Sequence, residues 1–238
     1  MSYLRETTDD FDYVALVTDG ACSPYFESRA KVISGLKAQD ANSHSHARGL
    51  NSLLGYFRQH ADNYRYFLFL DMDAFPIRKG WLDLFATSKF KPEFDIAAVV
   101  RSENLETRLH SSFLLAKPAA LGNLCFNVSG VGSDLRGEGE NDVNVGNFYQ
   151  SIYRTKALPL MRSNRYNIHP LLFGVYYDLL YHNSCGTARH FNMRSRDYWD
   201  HMVPAEFDVM KTTEELFANP NEFIGRLAGY NPHIYAKV

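Results

Sequence analysis

Two rhythms of apolar and polar residues run along this chain, and each predicts a different element. Between residues 44 and 62, Leu50, Leu53, Leu54 and Phe57 fall at i, i+3, i+4 and i+7 and form one apolar stripe, the pattern of a helix lying on a core. Ser43 or Ser45 stands where an N-cap is needed. Elsewhere the apolar residues cluster in short stretches, at 12–18, 33–36, 66–70, 95–100, 111–116 and 158–161, the one at 66–70 unbroken. Such stretches read as strands covered on both faces. Residues 177–182 lead a further strand into a turn. Shorter helical patterns fall at 25–32, at Trp81 to Phe85, at Val143 to Ile152, and near 213–218 and 220–228. Strands interleaved with helices predict an α/β domain, and no repeat or low-complexity linker divides it.

The most informative run is Tyr66-Phe67-Leu68-Phe69-Leu70-Asp71-Met72-Asp73-Ala74-Phe75-Pro76. Five large apolar residues lead directly into two carboxylates. An unpaired carboxylate is costly inside a sheet, so the chain must leave it near Asp71, and Pro76 is consistent with that exit. On an extended segment, residues two apart point the same way, so Asp71 and Asp73 converge. Strand ends are where open α/β sheets bind ligands. Paired acids there suit a hard divalent cation, Mn²⁺ or Mg²⁺, which completes its shell with phosphate and water. The competing reading is a solvated turn in which the acids cap the next helix.

This segment resembles the Asp-x-Asp motif of GT-A-type glycosyltransferases, which follows a buried strand and holds the cation and the nucleotide-sugar donor. The resemblance implies a single Rossmann-like GT-A domain over residues 1–238. Its central sheet would be mixed but mostly parallel and flanked by helices, with a donor half to about 100 and an acceptor half beyond. It implies a UDP-sugar donor, with a GDP-sugar possible, and a glycan or other hydroxyl acceptor. Asp19, after the first strand, would contact the nucleotide. Arg48 and Asn51, near the start of the long helix, would face the donor. His182, at a second polar exit from the sheet, would be the third metal ligand beside Asp71 and Asp73, and Arg189 would bind the diphosphate. The Gly-rich stretch from Val128 to Glu140 reads as a lid loop. It delivers Glu140 and Asp142, one of which would be the base of an inverting transfer, although Asp142 suits an N-cap equally well. His44, His46 and His60 read as surface histidines, and His110 and Ser111 as strand-edge residues within reach of a substrate.

Totals narrow the alternatives. The formal charge of -2 across 238 residues leaves no basic footprint for nucleic acid. No apolar run reaches the roughly 18–20 residues of a membrane span, and three dispersed cysteines suit reduced thiols, so the expected location is cytoplasmic. A haloacid-dehalogenase-type phosphatase also places Asp-x-Asp after an apolar strand. It would need Thr or Val where Phe75 stands, and a downstream acidic metal segment that is absent here. A glycan- or nucleotide-binding module without turnover is the non-enzymatic alternative.

Overall fold

The computed structural model describes residues 11–18, 31–36, 43–71, 73–102, 108–128, 143–152, 155–169, 172–183 and 208–228. Strands β1 (Val14–Thr18) and β2 (Lys31–Leu36) pair in parallel, so the helix expected over 25–32 gives way to strand at residues 31 and 32. Helix α1 (Ser43–Gln59) follows. It includes both serines proposed as caps, and Ser45 instead accepts a hydrogen bond from Arg48 Nη2 at 3.0 Å. The apolar stripe of α1 does what its spacing dictates. Ala47, Leu50 and Leu54 are buried, and Phe57 meets Phe67 and Phe69 with ring centroids 5.0 and 4.9 Å away.

Those two phenylalanines belong to β3 (Phe67–Leu70), which hands over to β4 (Ala74–Pro76). After helix α2 (Trp81–Ser88) come β5 (Ile96–Val100), β6 (Leu109–Ala116), β7 (Asn127–Val128), β8 (Val143–Asn144), helix α3 (Asn147–Ser151) and β9 (Ala157–Met161). The larger sheet has the order β7-β8-β6-β5-β9, with β3 also on β6. Alternate residues of its central strands enter opposite cores. Phe67, Phe69, Ile96, Ala98, Leu114 and Ala116 pack on the α1 side. Ala97, Val99, Phe113 and Leu115 pack with Trp81 and Phe85 of α2 on the other. Each fully buried Leu, Ile, Val or Phe among them contributes about 1.5–3 kcal/mol, which holds β3 in register up to Leu70 and so fixes where Asp71 emerges.

Strands β10 (Gly174–Tyr176) and β11 (Leu180–His182) form a hairpin, and β11 pairs with β4 in a separate three-stranded sheet. Tyr177 and Asp178, at φ 56° and 53°, are the central residues of its turn, which Leu179 N–H closes on the Tyr176 carbonyl at 3.1 Å, with the positive φ angles that suit the twist of a tight hairpin. Residues 177–179 therefore turn rather than begin a strand. Helices α4 (Val209–Ala218) and α5 (Pro220–Leu227) contribute Leu216, Phe223, Ile224 and Leu227 to the core with β10 and β11.

The domain is α/β, but its strands are not mostly parallel. Six of the eight pairings among the described residues are antiparallel, and only β1–β2 and β5–β9 run parallel. The fully buried β5 and β6 are covered on both faces, which does not depend on strand direction. The helical pattern from Val143 to Ile152 also resolves differently, as two strand residues followed by α3. Pro76 does not end pairing either. It closes β4, whose second edge has no strand partner among the described residues, the position where a missing N–H is tolerated.

Candidate functional site

The chain crosses from the larger sheet to the smaller one through Asp71 and Asp73, and that crossing is a turn rather than an extended segment. Ala74 N–H donates to the Asp71 carbonyl at 3.0 Å, so the two carboxylates converge by a reversal of the backbone. The turn is fixed from both sides. Asp71 N–H donates to the Ser112 carbonyl of β6 at 2.9 Å, and Asn183 N–H donates to the Asp73 carbonyl at 3.0 Å. Because His182 pairs with Ala74 across β11 and β4, its imidazole arrives beside Asp73, with Nε2 3.4 Å from Oδ1. One ligand atom from each of Asp71, Asp73 and His182 lies within 4.8 Å of the others.

Two more histidines complete the surroundings. His46, on the first turns of α1, places Nε2 3.1 Å from Asp71 Oδ1. His110 comes close through an irregularity in β6: Ala98 pairs with Leu114, but Val99 pairs with His110, so three residues of β6 bulge out at this point. Ser112 N–H donates to His110 Nδ1 at 3.1 Å, and the His110 and His182 rings are 6.4 Å apart. Burial alone would raise the pKa of Asp71. That is the largest single influence, but the hydrogen bond from His46 and the charges of His46, His182 and His110 together outweigh it, and the carboxyl is held at about 2. Tyr181, next to His182, is pushed well above its ordinary value by burial and by Asp73; its hydroxyl donates to Asn183 at 3.0 Å.

The donor set suits a divalent cation. His182 is buried, its Nε2 contact with Asp73 is long for a hydrogen bond, and its Nδ1 has no hydrogen-bond partner among the described residues. A buried imidazole is seldom left so poorly satisfied. Two carboxylates with one imidazole offer both oxygen and nitrogen donors, a set that fits a first-row divalent cation better than Mg²⁺, which is bound mainly through oxygen.

The other expected residues lie apart. Arg48 and Asn51 line a cleft on the opposite flank of α1 from His46, as their spacing on a 3.6-residue turn requires. The Asn51 amide is committed to the backbone of Phe126, donating at 2.8 Å and accepting at 2.9 Å. Asp19, Glu140, Asp142 and Arg189 fall outside the described residues. His46 is the residue that sequence reasoning missed. Its type and its place on a helix were legible, but not the flank it would present to Asp71.

No protein-family model matches this chain, and no curated protein does. Among solved structures, the crystal structure of A197 from STIV is similar at a TM-score of 0.37 and 12% identity, over 73% of this chain and 95% of A197. So slight a likeness carries no argument about fold or function. No helix among the described residues is long and apolar enough to cross a membrane.

Proposed function

We propose that this protein transfers a sugar from a nucleotide-diphosphate donor to a glycan or other hydroxyl acceptor, using a divalent cation held by Asp71, Asp73 and His182. The observation that carries the reading is the convergence of those three side chains at the end of a buried strand. The GT-A form of the fold, UDP as the favoured nucleotide, Asp19 and Arg189 as donor contacts, and inversion with Asp142 or Glu140 as base belong to the same proposal. They rest on the resemblance of the Asp71–Asp73 segment.

When bound, Mn²⁺ supplies Lewis-acid stabilisation of a leaving diphosphate. The chain supplies the fixed geometry. His46 orients one oxygen of Asp71 by hydrogen bonding, the partner role that tunes ligand carboxylates. The backbone bonds from Asp71 to Ser112 and from Asn183 to Asp73 hold the turn on either side, so little reorganisation accompanies binding.

A panel of UDP- and GDP-sugars, with and without Mn²⁺, tests the proposal. One donor should be hydrolysed slowly without acceptor, and only with the metal. Asp73→Asn should abolish that turnover and weaken Mn²⁺-dependent nucleotide binding roughly 100-fold or more, since even partners of ligands carry 10–100-fold effects. Unchanged nucleotide affinity in calorimetry would remove the ligand assignment. Phosphate release from simple phosphomonoesters would point to the phosphatase instead.

A further inference from the structure

We propose that a second site, separate from the acidic turn, binds a sugar acid or sugar phosphate between Arg48 and Arg108. Arg48 and Arg108 both line an open cleft of about 770 Å³ between the start of α1 and the edge formed by β7, β8 and α3. No Asp or Glu among the described residues lines this cleft, and neither arginine is paired with a carboxylate among them. Among the described residues, the Arg48 guanidinium donates to Ser45 Oγ at 3.0 Å. An anion bound between two arginines of one cleft would offset their mutual repulsion, and planar guanidinium forks match the two oxygens of a carboxylate or phosphate. The first turn of α1 adds positive potential, because it carries no acidic side chain.

The wall is built to keep its shape. Asn51 clamps the backbone of Phe126. Gln150 clamps Leu109, accepting from its N–H at 3.3 Å and donating to its carbonyl at 3.1 Å. Asn144 Oδ1 accepts from Gly146 N–H at 2.8 Å. These amides serve the scaffold, and the two arginines, His44 and Asn147 are left to face a ligand. The volume falls in the range of about 300–1,000 Å³ typical of small-molecule sites, more room than a bare anion fills. With His44, Asn127 and Asn147 also along its walls, the space suits an anion carried on a polyhydroxylated body.

The inference stands apart from the proposed transfer reaction. The cleft shares no side chain with the Asp71–Asp73–His182 group. They are neighbours through α1, which carries both His46 and Arg48, and through the register pair of His110 and Asn144. If the transfer reading holds, this is where an acidic acceptor sits.

Calorimetry in EDTA, with glucose 6-phosphate and glucuronate as probes and glucose and inorganic phosphate as controls, decides the matter. Glucose 6-phosphate or glucuronate should bind and raise the melting temperature, while glucose should not. Arg48→Ala and Arg108→Ala should each weaken binding roughly tenfold or more, and Arg48→Lys should recover only part of the loss. Mn²⁺ affinity should stay at the parental value in all three. Arg48 is exposed and Arg108 half-buried, so the fold should survive; Arg108→Gln replaces the alanine variant if that melts early. Parental affinity in the arginine variants, equal binding of glucose, or no binding of either anionic probe would overturn the site. Inorganic phosphate binding as tightly as glucose 6-phosphate would overturn the sugar assignment. A failure of the metal reading would appear separately, as absent Mn²⁺ binding in the parent.

Discussion

The acidic turn and the arginine cleft flank the same helix and are built in opposite ways. At the turn the chemical side chains are withdrawn from water: Asp71, Asp73 and His182 are 19, 24 and 4% exposed. Nearby polar atoms are left unanswered, with Ser111 Oγ, Ser112 Oγ and His182 Nδ1 all buried without a partner among the described residues. At the cleft the amides of Asn51, Asn144 and Gln150 are satisfied, and Arg48 stands towards solvent while Arg108 is half-buried. The difference implies a division of labour. Buried polar atoms without partners cost stability in the free protein, as expected where a tightly held ion provides the missing interactions. Exposed cations on a fixed wall cost little and suit a ligand that exchanges with solvent.

The sharpest way to separate the regions is to deform one of them. Gly146 adopts φ +90°, and a Cβ there would collide with Cys125 Sγ and the Cys125 carbonyl oxygen. Because Gly146 N–H also anchors Asn144, Gly146→Ala should distort the cleft. A left-handed backbone combined with overpacking should cost about 3 kcal/mol of unfolding free energy, measurable by denaturant titration. Binding of glucose 6-phosphate should fall with it while Mn²⁺ affinity holds. If both affinities fell together, the two regions would be one site.

A second test reaches only the turn. Burial would raise the Asp71 carboxyl, but the three imidazoles lower it from 3.8 to about 2. A carboxyl depressed by folding adds stability above its unfolded pKa, and loses it as pH falls through the folded one. In the metal-free protein this contribution, about 2 kcal/mol, should be complete above about pH 5 and disappear between about pH 4 and 2. Asp71→Asn should flatten that acid limb in denaturant titrations run at successive pH values. An unchanged limb would mean that the imidazoles do not hold the carboxylate. Arg48→Ala, on the other flank of the helix, should leave the limb as it is.

Both regions were partly legible in the sequence, and what was hidden has a common physical origin. The 3.6-residue period exposed α1, and the run up to Leu70 located the exit at Asp71, because burial on one or both faces leaves a mark on composition. His182 could be singled out as a polar end to an apolar strand. Strand direction leaves no such mark, so β5 and β6 suited a parallel sheet as well as the antiparallel one they form. Strands β7 and β8 have two residues each, too few for a pattern, and tertiary pairing alone defines them. The cleft was the least legible part. Asn51 read as a ligand contact because an exposed amide near a helix start looks the same whether it meets substrate or the backbone of Phe126. Arg108 drew no attention, since nothing local says which cavity it borders.

The smallest expected effect is the most informative about how the turn works. His46 is not one of the three converging groups; it reaches Asp71 from α1 at 3.1 Å while Arg48, two residues on, lines the cleft. If His46 only orients the carboxylate, His46→Ala should lower Mn²⁺ affinity roughly tenfold, and His46→Gln, which keeps a donor, should restore part of the loss. Glucose 6-phosphate binding should not change in either. If the alanine variant lost Mn²⁺ as completely as Asp73→Asn, His46 would be a ligand, and α1 would have to shift towards the turn on binding. That shift would carry Arg48 with it, and the cleft would then respond to the metal. A His46→Ala titration read at both sites therefore decides whether the helix between them is a fixed partition or a moving part.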